Sequence, residues 1–492
     1  MKKCFLRFMG IVLFYLAECS FCFAQETSIP SLYRYRLENG LELYVMENDS
    51  APLAYIEIAV RAGAVTQTAE NAGLFHLYEH MMFKGNEKYA NQKEVTQAMN
   101  RLGVADWNGT TSVDRVNYFF TVPSYLVYDG LEFWSYAIRT PLMNETELEN
   151  EKSVVLSEIQ GGLSEPGRIV GAELFKNLFP QAPWRMDTSG DPDIIRNADV
   201  KQLRKIQGEY YVPQNAALFV GGDVHHEEIY KMVQQIYGSW QNGPDAKGGK
   251  EPVEVPEKSP SGLIKKIVYP DPRSSGKMVQ VVYYLRGPDS ETDQDDIYGA
   301  DVWSYCLSNP ESAFVSKAVA KEELCIPDAD YIGGGYSTMR ASGMISFSAA
   351  MVGSDTMSPV EQAEKMLAYW NGEAVEDMLK TGTGFDDSDI RNVNKRLEDG
   401  RIYSLETAEG FLKGFSREWA SSGADFYFNY DENLSRVTNE DIKNFVKKYI
   451  QNKKGIAVLF VNPEYYKQHK KEFVKTGWKE LNSDNANWWK CK

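Results

Sequence analysis

Histidine is scarce in this chain, with five among 492 residues. Cysteine is hardly commoner: there are six, and Cys4, Cys19 and Cys22 crowd the extreme N-terminus, leaving Cys306, Cys325 and Cys491. Three thiols in so long a chain make no disulfide framework, so the fold must rest on a packed core, and Cys306 and Cys325 read as buried thiols rather than a bridge. Beyond the first residues no apolar run is long enough to cross a bilayer. Positive charge is also short. Against 69 Asp and Glu stand 53 Lys and Arg, a net charge of −16, which argues against nucleic acid or an anionic membrane as partner. What is abundant is core material, at 43% hydrophobic residues.

The opening "MKKCFLRFMGIVLFYLAECSFCFAQ" places Lys2, Lys3 and Arg7 before an apolar stretch and closes on Cys22-Phe23-Ala24. This is the three-part layout of a secretory signal peptide, cleaved before Gln25, and it predicts export to the periplasm. Lipid attachment at Cys19 is the lesser alternative, because Glu18 is a poor fit to the small residue such signals need.

Residues 241–260, "QNGPDAKGGKEPVEVPEKSP", are rich in Pro, Gly and charge and read as an exposed linker. On either side the elements recur. Strand-like "AYIEIAVRAGA" and "KMVQVVYYLRG" each precede a helix, and "DVKQLRKIQGEYYVPQNAALFVGGDV" resembles "NEDIKNFVKKYIQNKKGIAVLFVNP", each an amphipathic helix, a polar turn and an apolar strand. The expectation is an α+β fold of two homologous α/β-sandwich domains, 25–240 and 261–492, with helices packed on antiparallel-rich sheets.

Only the first copy carries the segment "GLFHLYEHMMFKG". In a helix His76, Glu79 and His80 project from one face, so two imidazoles can grip one metal ion while Glu79 is placed to take a proton from water. Gly85 suits an αL cap ending this helix about a turn beyond His80. At this histidine content a chance H-x-x-E-H match is roughly a few in a thousand. Catalytic zinc usually takes three protein ligands. In "ETELENEKSVVLSEIQGG" Glu151 and Glu158 share a helix face, and the residues alone leave open which one binds and which orients a histidine. His225 and His226 are rival ligands with the look of loop residues.

"GLFHLYEHMMFKGNEKY" followed by "NEKSVVLSEIQ" resembles the inverzincin metallopeptidases, the pitrilysin, insulysin and mitochondrial processing peptidase family, and the likeness extends through "ADWNGTTSVDRVNYFFTVP" and "YYVPQNAALFVGGDV". The resemblance implies His76, His80 and Glu158 as zinc ligands, Glu79 as general base and Glu151 as the helping glutamate. It implies hydrolysis of peptide bonds by a zinc-activated water, on oligopeptides or unfolded segments held in a clamshell of two halves or two chains. Asn108 and Gly109 alone would read as a hairpin turn; the family pattern puts them on an edge strand that pairs with extended substrate beside the scissile bond.

The second half departs from the pattern. Where relatives carry an Arg and a Tyr seven residues apart to hold the substrate carbonyl, alignment on "AVAKEEL" puts Val319 and Ile326. Tyr331, Tyr336 and Arg340 are nearby substitutes. Otherwise the pair comes from a homologous partner subunit in a homo- or heterodimer, or the chain is a noncatalytic peptide-binding or assembly subunit.

Overall fold

The computed structural model describes residues 25–247, 265–382, 384 and 387–486. The expected signal segment, most of the linker and Cys491 lie outside the described residues. Two sheets dominate. The first is formed by β1 (Gln25–Glu26), β2 (Leu32–Arg36), β3 (Glu42–Glu47), β4 (Leu53–Val60), β5 (Trp107–Thr111), β6 (Val116–Pro123) and β7 (Ala216–Gly222), in the order β1-β2-β3-β7-β4-β6-β5. The second is formed by β8 (Lys265–Pro270), β9 (Val279–Gly287), β10 (Ile332–Ser337), β11 (Gly343–Met351), β12 (Ile456–Val461) and β13 (Trp478–Glu480), in the order β10-β11-β9-β12-β8-β13. Both are mixed and mainly antiparallel: among the described residues β3–β7, β12–β8 and β13–β8 run parallel and the other pairs antiparallel. The α+β architecture of helix-covered sheets expected from the sequence is the one observed.

The central strands are apolar because both faces are covered. In β4, "LAYIEIAV", every residue after Leu53 is buried. One face of the first sheet meets helices of its own half, and the other meets helix Ala408–Ser421 from the second half. Phe411, Leu412, Phe415 and Trp419 of that helix form one buried cluster with Tyr44, Tyr55 and Phe219 of the sheet. Glu57, fully buried in β4, is satisfied across this seam. It accepts hydrogen bonds from Tyr55 (2.6 Å), Asn117 (2.8 Å) and Ser416 (2.6 Å) and faces Arg115 at 3.3 Å, as a buried carboxylate must. In return, helix Pro166–Leu178 of the first half reaches the second sheet. Arg286 of β9 donates to the Leu178 carbonyl at 2.6 Å, and Lys265 pairs with Glu173 at 3.2 Å. Each half thus covers a face of the other's sheet.

Trp419 is the keystone of that seam. It is fully buried, Arg61 lies 3.7 Å over its ring, and its indole N–H donates to Glu42 at 3.2 Å. Trp419→Ala is expected to cost about 3–5 kcal/mol of unfolding free energy, the range for emptying a large aromatic site. Urea unfolding of the full chain measures it, and a loss under about 1 kcal/mol would mean that the halves are held together elsewhere.

Candidate active site

Helix Leu74–Met81 follows β4 and turns Leu74, Phe75, Leu77, Tyr78 and Met81 into the core. That burial fixes the opposite face, which carries His76, Glu79 and His80. Its N-cap, Gly73, has φ 90° and is pressed against the 189–190 turn: a Cβ there would stand 2.6 Å from the Gly190 Cα. The helix ends at Met81, earlier than the expected Gly85 cap. Gly85 has φ 131°, outside the αL region, and belongs to the turn beyond.

Helix Glu145–Gly162 lies alongside. Asn144 caps it by accepting from the amides of Thr146 and Glu147, and Glu145 and Glu147 suit the positive end of its dipole. Leu148, Val155 and Ile159 anchor it, so Glu151 and Glu158 face the histidines from positions about two turns apart. The geometry separates these two glutamates. Glu158 Oε2 stands 3.6 Å from both His76 Nε2 and His80 Nε2, which are 3.2 Å from each other. Glu151 Oε2 instead meets the other nitrogen of His80, Nδ1, at 3.0 Å, while its second oxygen pairs with Lys84 at 2.5 Å.

Three ligands bound at 2.0–2.1 Å to one tetrahedral ion lie about 3.4 Å apart. The observed separations fit that spacing, and the donor set of two imidazoles and one carboxylate suits zinc. Among the described residues this trio is the group that could hold a metal ion. The hydrogen bond to Glu151 puts the His80 proton on Nδ1 and turns the Nε2 lone pair toward the trio. Burial, then the charges of His80 and Arg168, push the His76 imidazole down to about 4, so it is neutral, as a ligand must be. For His80 burial works the same way but is outweighed by the bond to Glu151 and the charges of Glu158 and Glu79, and its pKa is raised.

Glu79 is buried, and burial raises its pKa against the hydrogen bond it accepts from Thr111 Oγ1 at 2.9 Å. Thr111 and Gly109 alternate on one side of β5, and Gly109 backs directly onto this carboxylate: a Cβ there would come 2.7 Å from Glu79 Oε1. Among the described residues β5 pairs only with β6, at the end of the sheet order, so no described strand covers its outer edge. Asn108 and Gly109 are therefore in a strand, not at a hairpin tip, because their partners Phe119 and Tyr118 lie well within β6. The trio, Glu79, Glu151, Asn108 and Gly109 all line one cleft of about 760 Å³.

His225 and His226 are elsewhere. His225 lies 3.3 Å from Glu47, and His226 stacks on Tyr33 and bonds the Tyr35 hydroxyl at 2.6 Å. In the second half Ile326 is buried in the core and Val319 packs against it. Tyr336 donates to the Pro288 carbonyl at 2.8 Å, Arg340 pairs with Glu291, and Tyr331 is exposed. None of the three lines the cleft. Cys306 is buried and Cys325 partly so, with no disulfide between them. Sequence reasoning passed over Thr111, although strand alternation with Gly109 pointed to it, and Lys84 and Arg168, for which there was no signal.

Solved structures share this frame. A protease from Helicobacter pylori superposes with a TM-score of 0.70 at 18% identity, covering 88% of this chain and all of that one. Pitrilysin superposes with a TM-score of 0.70 at 15% identity, over 89% of this chain and 46% of that one. At such identities the likeness is one of fold. Among curated proteins, "Probable zinc protease PqqL" of Haemophilus influenzae is 26% identical over 216 residues, 42% of this chain and 23% of that protein. "Zinc protease PqqE" of Helicobacter pylori is 23% identical over 239 residues, 48% of this chain and 53% of that one. The chain thus spans about half or less of the length of these relatives. Frame and relatives place the chain among proteins built from paired α+β halves, of which these curated relatives are named zinc proteases. The pattern described as "Insulinase (Peptidase family M16)" matches residues 43–190, and that of the "Peptidase M16 inactive domain" matches residues 197–378. This chain belongs to peptidase family M16.

Proposed function

We propose that this chain is an exported zinc endopeptidase acting on oligopeptides or unfolded segments. In this reading His76, His80 and Glu158 hold one zinc ion, Glu151 orients His80, and Glu79 is the general base. The observation that carries it is the convergence of the trio, a buried carboxylate and a free strand edge in one cleft. When bound, the ion lowers the pKa of water toward about 7 and polarises the scissile carbonyl. The protein's own groups do the rest. The free edge of β5 takes the substrate as an added strand, through backbone groups of Asn108 and Gly109, which leaves side-chain choice open. Thr111 holds Glu79 Oε2, so Oε1, beside Gly109, takes the proton from the attacking water and passes it to the leaving amine. Export rests on the layout of residues 1–24, and among the described residues no helix is long and apolar enough to cross a membrane.

Val319 and Ile326 favour a homologous partner subunit that supplies the Arg and Tyr. They also favour a second reading, a noncatalytic peptide-binding subunit, as does the match of residues 197–378 to a domain described as inactive. The deciding experiment is cleavage of a quenched fluorescent peptide library by purified residues 25–492, with Glu79→Gln as the blank. Turnover lost in the blank supports the self-sufficient peptidase. Silence in both points to the partner, and silence persisting after a homologous subunit is added supports the noncatalytic reading.

The crowding at Gly109 gives a sharper test. Gly109→Ala would push a methyl group into the Glu79 carboxylate and is expected to lower kcat by about 10²-fold, the cost of a misplacement near 1 Å. Zinc content should be unchanged, since no ligand moves. An alanine variant with normal kcat would remove Glu79 Oε1 from the proposed chemistry.

A further inference from the structure

The cleft also contains a cation that the proposed hydrolysis does not use. Arg168 stands at the third position of helix Pro166–Leu178 and lines the cleft with Gly161, Ser164 and Glu165, just past the helix end that carries Glu158. Its seat is built. A Cβ on Gly162 would come 2.8 Å from Arg168 Cδ and 3.0 Å from Nε and Nη1, so the side chain lies directly against the end of helix Glu145–Gly162, in space that glycine leaves open. Helix C-termini favour cations. Arg168 Nη2 stands 3.4 Å from Asp187 Oδ1, an oxygen that also accepts from the Ser189 amide (2.9 Å) and hydroxyl (2.5 Å), so the 187–189 turn braces one edge of the guanidinium. Lys84, the other lysine or arginine lining the cleft, is engaged by Glu151 and by Gln92 at 3.0 Å.

We infer that Arg168 is a specificity-determining residue that selects substrates presenting a carboxylate beside the scissile bond, either an acidic side chain or the substrate's own C-terminus. This rests on the peptidase reading. A guanidinium fork matches a carboxylate in shape and charge, and it is weakly enough hydrated to be worth desolvating in a cleft. The competing role is structural: the pair with Asp187 would only hold the turn that packs on Gly73. That role predicts loss of stability and a uniform loss of binding, with no change in preference.

The test uses the zinc-loaded full chain. Fluorescently labelled peptides are compared in pairs, Glu against Gln on each side of the cleaved bond and a free C-terminal acid against its amide, which separates the two sources of carboxylate. Binding is read by anisotropy in the Glu79→Gln background, and KM and kcat are read in the parent. The carboxylate member of one pair is expected to bind about tenfold tighter, the lower range for a hydrogen bond to a charged group. Arg168→Gln should erase that preference through KM while leaving the neutral member and kcat unchanged. Arg168→Lys should restore part of it, and Arg168→Glu should turn it toward lysine. A parent with no preference, or an Arg168→Gln variant that weakens every peptide alike, would overturn the inference alone. Failure to bind or cut any peptide even after a homologous subunit is added would overturn the peptidase reading and this inference with it.

Discussion

Glu79→Gln is expected to lower kcat by about 10²–10⁴-fold, the usual contribution of a positioned general base, while zinc content and thermal stability stay at the parental level. Glutamine keeps the volume of the side chain, and its amide oxygen can still accept the Thr111 hydroxyl that now lies 2.9 Å from Oε2. It cannot take up a proton. Nothing else changes at the trio, because Glu79 is not among the three residues whose ligand atoms converge. Burial, which raises its pKa, makes Glu79 a stronger base than a surface carboxylate. Stopped assays on a cleaved peptide, with zinc measured in the same samples, provide the check. If turnover stayed above about a tenth of the parent's, the base would have to be another group. Glu151 would be a poor successor, since its two oxygens are already engaged by His80 and Lys84.

The candidate-site helix Leu74–Met81 was legible because its spacing does two jobs at once. The residues at i, i+3 and i+4 leave the remaining positions apolar, so the pattern specifies both which face is buried and which face is chemical. The same periodicity could not choose between Glu151 and Glu158, because two residues a heptad apart on one helix are equivalent until the neighbouring helix is placed. The choice lies in a rise of two turns along helix Glu145–Gly162, which sets one carboxylate against Nε2 atoms and the other against Nδ1. Taken alone, Asn108-Gly109 points to a hairpin tip for the opposite reason. Turn chemistry is local, whereas strand β5 exists because it pairs with β6, and the hairpin bends instead at Ser112–Arg115. The seam was also illegible. The segment "AEGFLKGFSREWAS" has an evident apolar face, yet no periodicity says that this face covers the other half's sheet. Arg168 is the extreme case: its place depends on a missing side chain at Gly162.

That unresolved pair of glutamates gives the second large effect. Zinc affinity, measured by competition with a chelating dye, is expected to collapse in His76→Ala, His80→Ala and Glu158→Gln, each of which removes a proposed ligand. Glu151→Gln should fall only about 10–100-fold, the range for a residue that orients a ligand from behind. The ranking follows from what each change leaves. Without Glu158 two imidazoles remain, one ligand short of the three that catalytic zinc sites use. Without the Glu151 charge the three ligands persist, but the carboxylate 3.0 Å from His80 Nδ1 that fixes its tautomer is replaced by a neutral, weaker amide acceptor. Zinc binding to the folded chain also adds stability, about 2.7 kcal/mol at a hundredfold excess over Kd, so the parent should melt higher when zinc is supplied. Glu158→Gln should show no such rise, and Glu151→Gln a rise that needs more zinc. The reverse order, with Glu151→Gln losing the ion and Glu158→Gln retaining it, would exchange the two roles. It would also mean that the bound site rearranges away from the 3.6 Å approach of Glu158 to both imidazoles.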